Sequence, residues 1–150
     1  MAYDSQNIFA KILRGEIPAI KVYEDEKTLA FMDIMPQAEG HTLVIPKAPA
    51  VTLLDLPAED AAYTIQIVQK IARAIEKGLD KKGIVLMQLS GEQAGQTVPH
   101  VHFHLIPSSV HQLGQHASQM GDQEQIKATA EKIKLALSHI LNQADVQLKS

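Results

Sequence analysis

The amino-acid sequence predicts an α+β fold in which an antiparallel sheet of about five strands packs with two long helices. Three features indicate it: short apolar runs separated by turn residues, two long stretches with helical periodicity, and histidines that alternate with apolar residues over 100–106. The first three strand-like runs are separated by too few residues for a crossover helix between them, which favours antiparallel pairing. The length of 150 residues is typical of one domain, and we assign residues 1–150 to it.

The N-terminal segment predicts a short helix that Ser5 caps and that Gly15 and Pro18 terminate. Its apolar side comprises Ile8, Phe9, Ile12 and Leu13. Three strand-like runs follow, at residues 20–23, 28–32 and 42–45. Because turn signals separate these runs, at residues 24–27 and 36–40, they predict an antiparallel meander.

Two later stretches have the periodicity of helices that bury one side. The first begins at Pro57 and closes at Gly78 or Gly83, and its apolar side comprises Ala61, Ile65, Val68, Ala72, Ile75 and Leu79. The second spans about residues 122–142, with Ile126, Ala130, Ile133, Leu137 and Ile140 on its buried side. The remaining segments predict a strand at 84–89, a glycine-containing loop at 90–97, the histidine-rich strand at 100–106 and a surface loop at 108–119.

Composition and charge argue against several classes of protein. The net charge of −3 and the absence of a Lys/Arg-rich run argue against nucleic-acid binding. Apolar stretches stay shorter than about 18 residues, so we expect no membrane span. The chain has no cysteine, which excludes disulfides and thiolate metal ligands. The N-terminus lacks the pattern of a signal peptide, and we expect a cytoplasmic protein.

The alternating histidines indicate a chemical site. The two-residue period of a strand places His100, His102 and His104 on one face, while Val101, Phe103 and Leu105 point into the core. Up to three positive charges about 7 Å apart are unfavourable unless a negatively charged ligand or a metal lies opposite them.

Three interpretations of these histidines remain open. Two of them could share a zinc ion if a third ligand, such as His41, came from elsewhere. Alternatively, an imidazole could attack phosphorus as a nucleophile, with donors from Gly95, Gln96 and Thr97 for a phosphoryl oxygen or a leaving group. In the third interpretation the histidines only face solvent on an edge strand.

These motifs resemble the histidine-triad (HIT) superfamily of nucleotide hydrolases and transferases, in particular its bacterial phosphoramidase-like branch. The family pattern His-φ-His-φ-His-φ-φ is matched at every position of residues 100–106, and residues 94–99, Ala-Gly-Gln-Thr-Val-Pro, resemble the family's approach to the triad. Similar motifs occur at residues 8–18, 22–25, 30–36 and 40–47. The resemblance covers residues 7–107, whereas residues 108–150 match only as a helical extension.

The resemblance implies a covalent mechanism in which His102 attacks the α-phosphate of a nucleotide. His104 would bind the phosphate, and the backbone carbonyl of His100 would orient His102 through its Nδ1–H. Thr97 would lie near the scissile bond. Further nucleotide contacts would come from His41, Ser90, Gly95 and Gln96.

The resemblance also implies a ribose and base site. Asp33 would bind the ribose hydroxyls, and the base would lie between Ile8, Phe9, Phe31 and Ile34. The residues allow simpler roles as well: Ile8 and Phe9 could serve only helix packing, and Asp33 could cap a turn.

Several positions depart from the family pattern. Residues 7–10, Asn-Ile-Phe-Ala, stand where many bacterial relatives have a zinc-binding Cys-x-x-Cys, and Pro49 replaces a further histidine ligand. We therefore expect no structural zinc and no cofactor. Leu89-Ser90 replaces a polar amide that is often found there, and Ser108-Ser109 follows the triad in place of Arg or Gly.

The function that the resemblance implies is hydrolysis of a purine nucleoside 5′-phosphoramidate or related nucleotide conjugate by a homodimer, with release of a nucleoside monophosphate. A dinucleoside polyphosphate hydrolase would use the same residues and differ in the leaving group. A nucleotide-binding module with negligible turnover and a histidine–metal protein also stay open as functions for this chain.

Overall fold

The computed structural model describes residues 2–113 and 119–149, with side chains in the last helix described as far as residue 142. Its helices are α1 (Ile8–Leu13), α2 (Ala58–Leu79) and α3 (Gln123–Lys149). Its strands are β1 (Lys21–Glu24), β2 (Thr28–Met32), β3 (Thr42–Pro46), β4 (Val85–Gln88) and β5 (Phe103–Ile106), and a 3₁₀ turn spans Glu92–Ala94. The strand order is β1-β2-β3-β5-β4, and neighbouring strands are antiparallel. The predicted α+β fold with five strands and two long helices is confirmed.

The sheet has an apolar layer on each face. Helices α2 and α3 cover one face, and the predicted inward residues Val101, Phe103 and Leu105 belong to that core. Helix α1 lies against the other face, where Phe9 and Ile12 pack against residues of β2 and β3. Strands β2 and β3 are buried along their whole length, as expected for strands that are covered on both sides.

The caps of the helices differ from the sequence prediction. Asn7, not Ser5, caps α1, because its Oδ1 accepts a hydrogen bond from the Ala10 N–H at 2.9 Å. Helix α2 ends at Asp80 in the left-handed conformation (φ 52°), so its closure by Gly78 or Gly83 was predicted wrongly. Gly78 lies inside α2, where a Cβ would lie 2.7 Å from the Lys132 carbonyl oxygen of α3. The glycine therefore permits close approach of the two helices.

The buried side of α2 and two element boundaries also differ from the prediction. Ile65 is 44% exposed, because the buried side of α2 is rotated toward Thr64, Ile67 and Ile71. The pairing of β5 begins only at Phe103, so residues 100–102 precede the strand. The backbone of α3 remains helical beyond the predicted end at residue 142.

The segment after β5 contains bends and a turn through residue 113, in agreement with the predicted surface loop. Residues 114–118 of that predicted loop lie outside the described residues. Among the described residues, the structure has no helix with the length and apolar character that crossing a bilayer requires.

Candidate active site

The histidines lie on the α1 face of the sheet, where β3 begins and the segment before β5 passes. His104 lies on β5 opposite Leu43 of β3, and His41 directly precedes β3. His102 lies two residues before His104, with their ring centroids 5.0 Å apart. His41, His102 and His104 line a cavity of about 300 Å³. The fold thus brings together three histidines that come from two chain segments.

His102 has a defined orientation and tautomer. Its Nδ1 lies 2.7 Å from the backbone carbonyl oxygen of His100, so Nδ1 carries the proton and Nε2 keeps its lone pair. The ring of Phe9 packs edge-on against it at a centroid distance of 4.9 Å. Burial lowers the pKa of His102, although the bond to His100 and the charge of Asp33 act in the opposite direction. The imidazole is therefore neutral near pH 7 and suited to act as a nucleophile.

His41 and His104 form a second ordered pair. The Gln37 N–H donates to Nδ1 of His41 at 3.1 Å, so the proton of neutral His41 lies on Nε2. That Nε2 lies 3.0 Å from Nδ1 of His104, which must accept. His104 therefore carries its proton on Nε2, as a donor to an anionic group requires. Burial and the nearby His102 lower the pKa of His41 to about 4, which keeps this ring neutral.

His100 is the one member of the triad that does not line the cavity. Its ring is fully buried, with Nε2 2.8 Å from the carbonyl oxygen of Pro46 and Nδ1 2.6 Å from the hydroxyl of Tyr3. Its backbone carbonyl faces His102, as the family resemblance implied. Tyr3 could not be found from the sequence, since a tyrosine near a chain terminus has no characteristic spacing to the triad.

Asp33 lies at the rim of the same cavity. Its Oδ1 accepts from the Met35 N–H at 2.8 Å, and Oδ2 lies 3.5 Å from Nε2 of His41. Burial raises its pKa, while the bond from Met35 and the nearby His102 lower it. The turn that carries Asp33 is joined to the start of α3, because Gly121 N–H donates to the Ile34 carbonyl oxygen at 2.8 Å. Turn capping and ribose binding by Asp33 are thus both compatible with the geometry, since one oxygen caps the turn and the other faces His41.

Apolar side chains form the rest of the cavity wall. Phe9 and Phe31 pack edge to face at 5.4 Å and are buried, whereas Ile8 and Ile34 are 54% and 43% exposed at the rim. All four line the cavity, together with Ile17, Met35, Leu43 and Leu89, which the sequence pattern did not indicate. A cleft with apolar walls and an exposed rim suits a planar, partly polar ligand.

The loop before the triad divides into residues that face the cavity and residues that support the loop. Gly95 and Thr97 line the cavity. The side chain of Gln96 instead accepts from the Gly91 N–H and donates to the carbonyls of Val51 and Val98, at 2.7–3.0 Å. Gln96 therefore braces the loop, and its amide is not among the groups that line the cavity.

Ser90 also lies away from the cavity lining. Its hydroxyl donates to Oε1 of Gln88 at 2.7 Å and accepts from the Leu53 N–H at 3.3 Å. The nucleotide contact expected of Ser90 would require the hydroxyl to break its hydrogen bonds with Gln88 and Leu53.

Asp33, His41 and His104 lie close enough for a metal ion, with one ligand atom from each within 4.8 Å of the others. The hydrogen bonds oppose such a site, because Gln37 N–H fixes the lone pair of His41 on Nδ1 and leaves Nε2 protonated. Binding a metal at Nε2 would require loss of that bond. The zinc motif of relatives does not fit either, because the side chain of Asn7 is engaged as the helix cap and Ala10 and Pro49 have no ligand atom.

Comparison with known proteins supports the family assignment. The HIT domain family matches residues 14–111. Protein hit of Bacillus subtilis is 47% identical over 100 residues, which cover 67% of this chain and 69% of that protein. An adenosine 5′-monophosphoramidase of Saccharomyces cerevisiae is 43% identical over 104 residues, 69% of this chain and 63% of that protein.

Among solved structures, a Hit-like protein of Bartonella henselae described as involved in cell-cycle regulation superimposes with a TM-score of 0.84 at 47% identity. The superposition covers 91% of this chain and 99% of that one. The histidine pattern, the fold and these similarities together show that the chain belongs to the HIT family.

Proposed function

We propose that this protein is a nucleotide hydrolase that cleaves purine nucleoside 5′-phosphoramidates or related nucleotide conjugates through His102. The observation that carries the proposal is the hydrogen bond from Nδ1–H of His102 to the His100 carbonyl, which leaves the Nε2 lone pair for the reaction. The similarity to an adenosine 5′-monophosphoramidase supports the substrate class.

In the first step, the lone pair of His102 Nε2 attacks the α-phosphorus and a new phosphorus–nitrogen bond forms. The bond from phosphorus to the leaving amine breaks, and the amine departs after taking a proton from solvent. The imidazole of His102 then carries a positive charge, which its bond to the His100 carbonyl and the nearby carboxylate of Asp33 stabilise. In the second step, the oxygen of a water molecule bonds to phosphorus while the phosphorus–Nε2 bond breaks. The electron pair of that bond returns to Nε2, the proton of the water passes to solvent, and the nucleoside monophosphate leaves with His102 in its neutral form.

The other cavity groups match the parts of a nucleotide. The Nε2–H of His104 would donate to a phosphoryl oxygen, with the Gly95–Thr97 loop at the leaving-group side. The carboxylate of Asp33 would accept from the ribose hydroxyls, and the purine would lie between the apolar residues of α1 and β2. Gln96 acts in this proposal through the loop that it braces.

A dinucleoside polyphosphate hydrolase remains the alternative of the same chemical class, since it would use the same nucleophile. A nucleotide-binding module with negligible turnover is favoured by one specific feature, the replacement of a polar amide by Leu89 at the cavity wall. Turnover measurements separate the hydrolases from the binding module, and the preferred leaving group separates the two hydrolases.

The decisive experiment compares AMP release from adenosine 5′-phosphoramidate by the wild type, His102→Asn and the control His139→Asn, an exposed site on α3. We expect His102→Asn to lose at least about two orders of magnitude in kcat, because the nucleophile is removed, while His139→Asn retains full activity. EDTA should leave the rate unchanged. Equal AMP binding by all three proteins without any release would refute the hydrolase and favour the binding module.

We also propose that the protein forms a homodimer through the β4 edge of the sheet. Within the described residues, strand β4 pairs with β5 alone, so its outer edge offers unpaired backbone groups to another chain. Leu86 on this strand is 50% exposed, and Ile65 of α2 and Leu54 are 44% and 88% exposed. A second copy that added its own β4 would extend the sheet and cover apolar surface.

A further inference from the structure

Tyr3 lies outside the matched HIT segment of residues 14–111, yet its hydroxyl reaches His100, the first histidine of the triad. Its oxygen lies 2.6 Å from Nδ1 of His100, and the two rings meet edge to face at a centroid distance of 5.6 Å. The imidazole of His100 is fully buried and does not face the proposed nucleotide cavity. The hydroxyl therefore serves the protein interior and not the ligand.

The direction of this hydrogen bond follows from the second nitrogen of the same ring. Nε2 of His100 lies 2.8 Å from the carbonyl oxygen of Pro46, which can only accept, so Nε2 carries a proton. Burial lowers the pKa of His100, so its ring is neutral near pH 7 and Nδ1 has the lone pair. Tyr3 is then the donor, and it satisfies an acceptor that water cannot reach.

His100 connects this contact to the nucleophile. Two hydrogen bonds fix its ring from opposite sides, and the rings of Phe9 and His100 form a T-shaped pair at a centroid distance of 6.4 Å. The backbone carbonyl of the same residue accepts the Nδ1–H of His102 at 2.7 Å, the bond that leaves Nε2 of His102 unprotonated. A shift of His100 would therefore change the orientation of His102.

Tyr3 is itself attached to the element that packs on His102. The Asn7 N–H and its Nδ2 both donate to the carbonyl oxygen of Asp4, at 3.2 and 2.7 Å, and the Asn7 side chain caps α1. Helix α1 carries Phe9, whose ring contacts both His100 and His102. The N-terminal segment and α1 thus form one connected support around the two histidines.

We propose that Tyr3 is a positioning residue for the reaction: its hydroxyl fixes His100, whose carbonyl fixes the nucleophile His102. The proposal rests on the proposed hydrolase function for its effect on rate, but the effect on His102 itself is independent of any substrate. Removal of the hydroxyl leaves a buried acceptor unsatisfied, and the residue is expected to move to find a new partner.

The test uses the full-length protein and the variant Tyr3→Phe, which removes only the hydroxyl. Tyr23→Phe is the matched control, since that hydroxyl donates to Asp25 at 2.8 Å in the β1–β2 turn. Turnover of adenosine 5′-phosphoramidate is measured for all three proteins at one temperature where each is folded. Proton exchange at the imidazole nitrogens is measured by ¹⁵N NMR without substrate, and His102→Asn identifies the signal of His102.

We expect Tyr3→Phe to reduce kcat by about three- to tenfold while KM changes by less than about twofold, because only the position of the nucleophile is affected. Exchange of the His102 Nδ1–H should become at least about threefold faster than in the wild type. Tyr23→Phe should change neither quantity, although it also loses a hydroxyl hydrogen bond.

The proposal would be overturned if Tyr3→Phe had the kcat and the His102 Nδ1–H exchange rate of the wild type. It would also be overturned if Tyr3→Phe and Tyr23→Phe lost the same fraction of kcat, because that would indicate a general effect on stability. If the wild type turns over no phosphoramidate, the proposed function fails for that substrate. The exchange measurement then decides alone: faster exchange of His102 in Tyr3→Phe upholds the positioning role, and unchanged exchange overturns it.

Discussion

Replacement of His41 by glutamine should remove a large part of the acid sensitivity of the fold. His41 is 1% exposed, and its pKa is lowered from 6.5 to about 4, first by burial and then by the nearby His102. In the unfolded chain the same histidine takes up its proton near pH 6.5, so the unfolded state binds more protons than the folded state below that pH. The stability contributed by neutral His41 is therefore complete above pH 6.5 and is lost as the pH falls toward 4.

The magnitude follows from the difference between the two pKa values. At about 1.4 kcal/mol for each pH unit, the change from 6.5 to about 4 corresponds to a loss of about 3 kcal/mol in the free energy of unfolding. That is a large fraction of the about 5–15 kcal/mol by which domains are stable. Buried His100 and His102, whose pKa values are also lowered, add to the acid sensitivity in the same direction.

The assay is urea unfolding of the wild type and His41→Gln at a series of pH values between 7 and 4. Glutamine can still accept from the Gln37 N–H and donate to His104, so the variant is expected to fold, with a lower free energy of unfolding at pH 7. Its loss between pH 6.5 and 4 should be smaller than that of the wild type by about 3 kcal/mol. His139→Gln, an exposed site on α3, should follow the wild type. Parallel pH curves for the wild type and His41→Gln would refute the assignment of a buried neutral His41.

Three further predictions concern activity, helix packing and assembly. Because burial lowers the pKa of His102, kcat/KM of the wild type should be constant above pH 6.5 and fall only at lower pH. Asp33→Asn removes a charge that raises this pKa, so the fall in its pH–rate profile should occur at lower pH than in the wild type. A fall at the same pH in both proteins would contradict the charge effect. Gly78→Ala places a Cβ 2.7 Å from the Lys132 carbonyl oxygen and should lower the free energy of unfolding by about 1–3 kcal/mol in urea titrations, whereas a neutral effect would show that α2 and α3 separate easily. Leu86→Lys should convert the proposed dimer to a monomer in light scattering, and a persistent dimer would place the interface elsewhere.

The sequence predicted the elements whose patterns are set by burial on one or two faces. The strands at 28–32 and 42–45 were found because their apolar runs are short and bounded by turn residues, and both lie in the centre of the sheet. The rotation of the buried side of α2 away from Ile65 was not predictable from the spacing of apolar residues at alternating steps of three and four. It depends on the position of α3, which packs against Gly78.

In the site as well, the residues of one short motif were predictable, whereas contacts that form only in the folded chain were not. The triad and its loop share one short segment, so their spacing in the sequence already places His102 near His104. Three contacts of the site could not be predicted from the sequence: Tyr3 with His100 and Gln96 with Val51, which join distant segments, and Gln37 with His41, which depends on the local turn. Each depends on the folded backbone, and the contact of Gln37 also decides which nitrogen of His41 carries the proton.

The hydrogen bond from Gly121 to the Ile34 carbonyl has a consequence for how members of this family can diverge. Residue 121 lies beyond the matched segment of residues 14–111, whereas Ile34 lies inside it, next to the carboxylate of Asp33. A change in the length of the connection before α3, or in the orientation of that helix, moves the Asp33 turn without altering the triad or its loop. Under the proposed function, a change in this C-terminal region would therefore alter the ribose site at Asp33 while His102 keeps its hydrogen bond to His100.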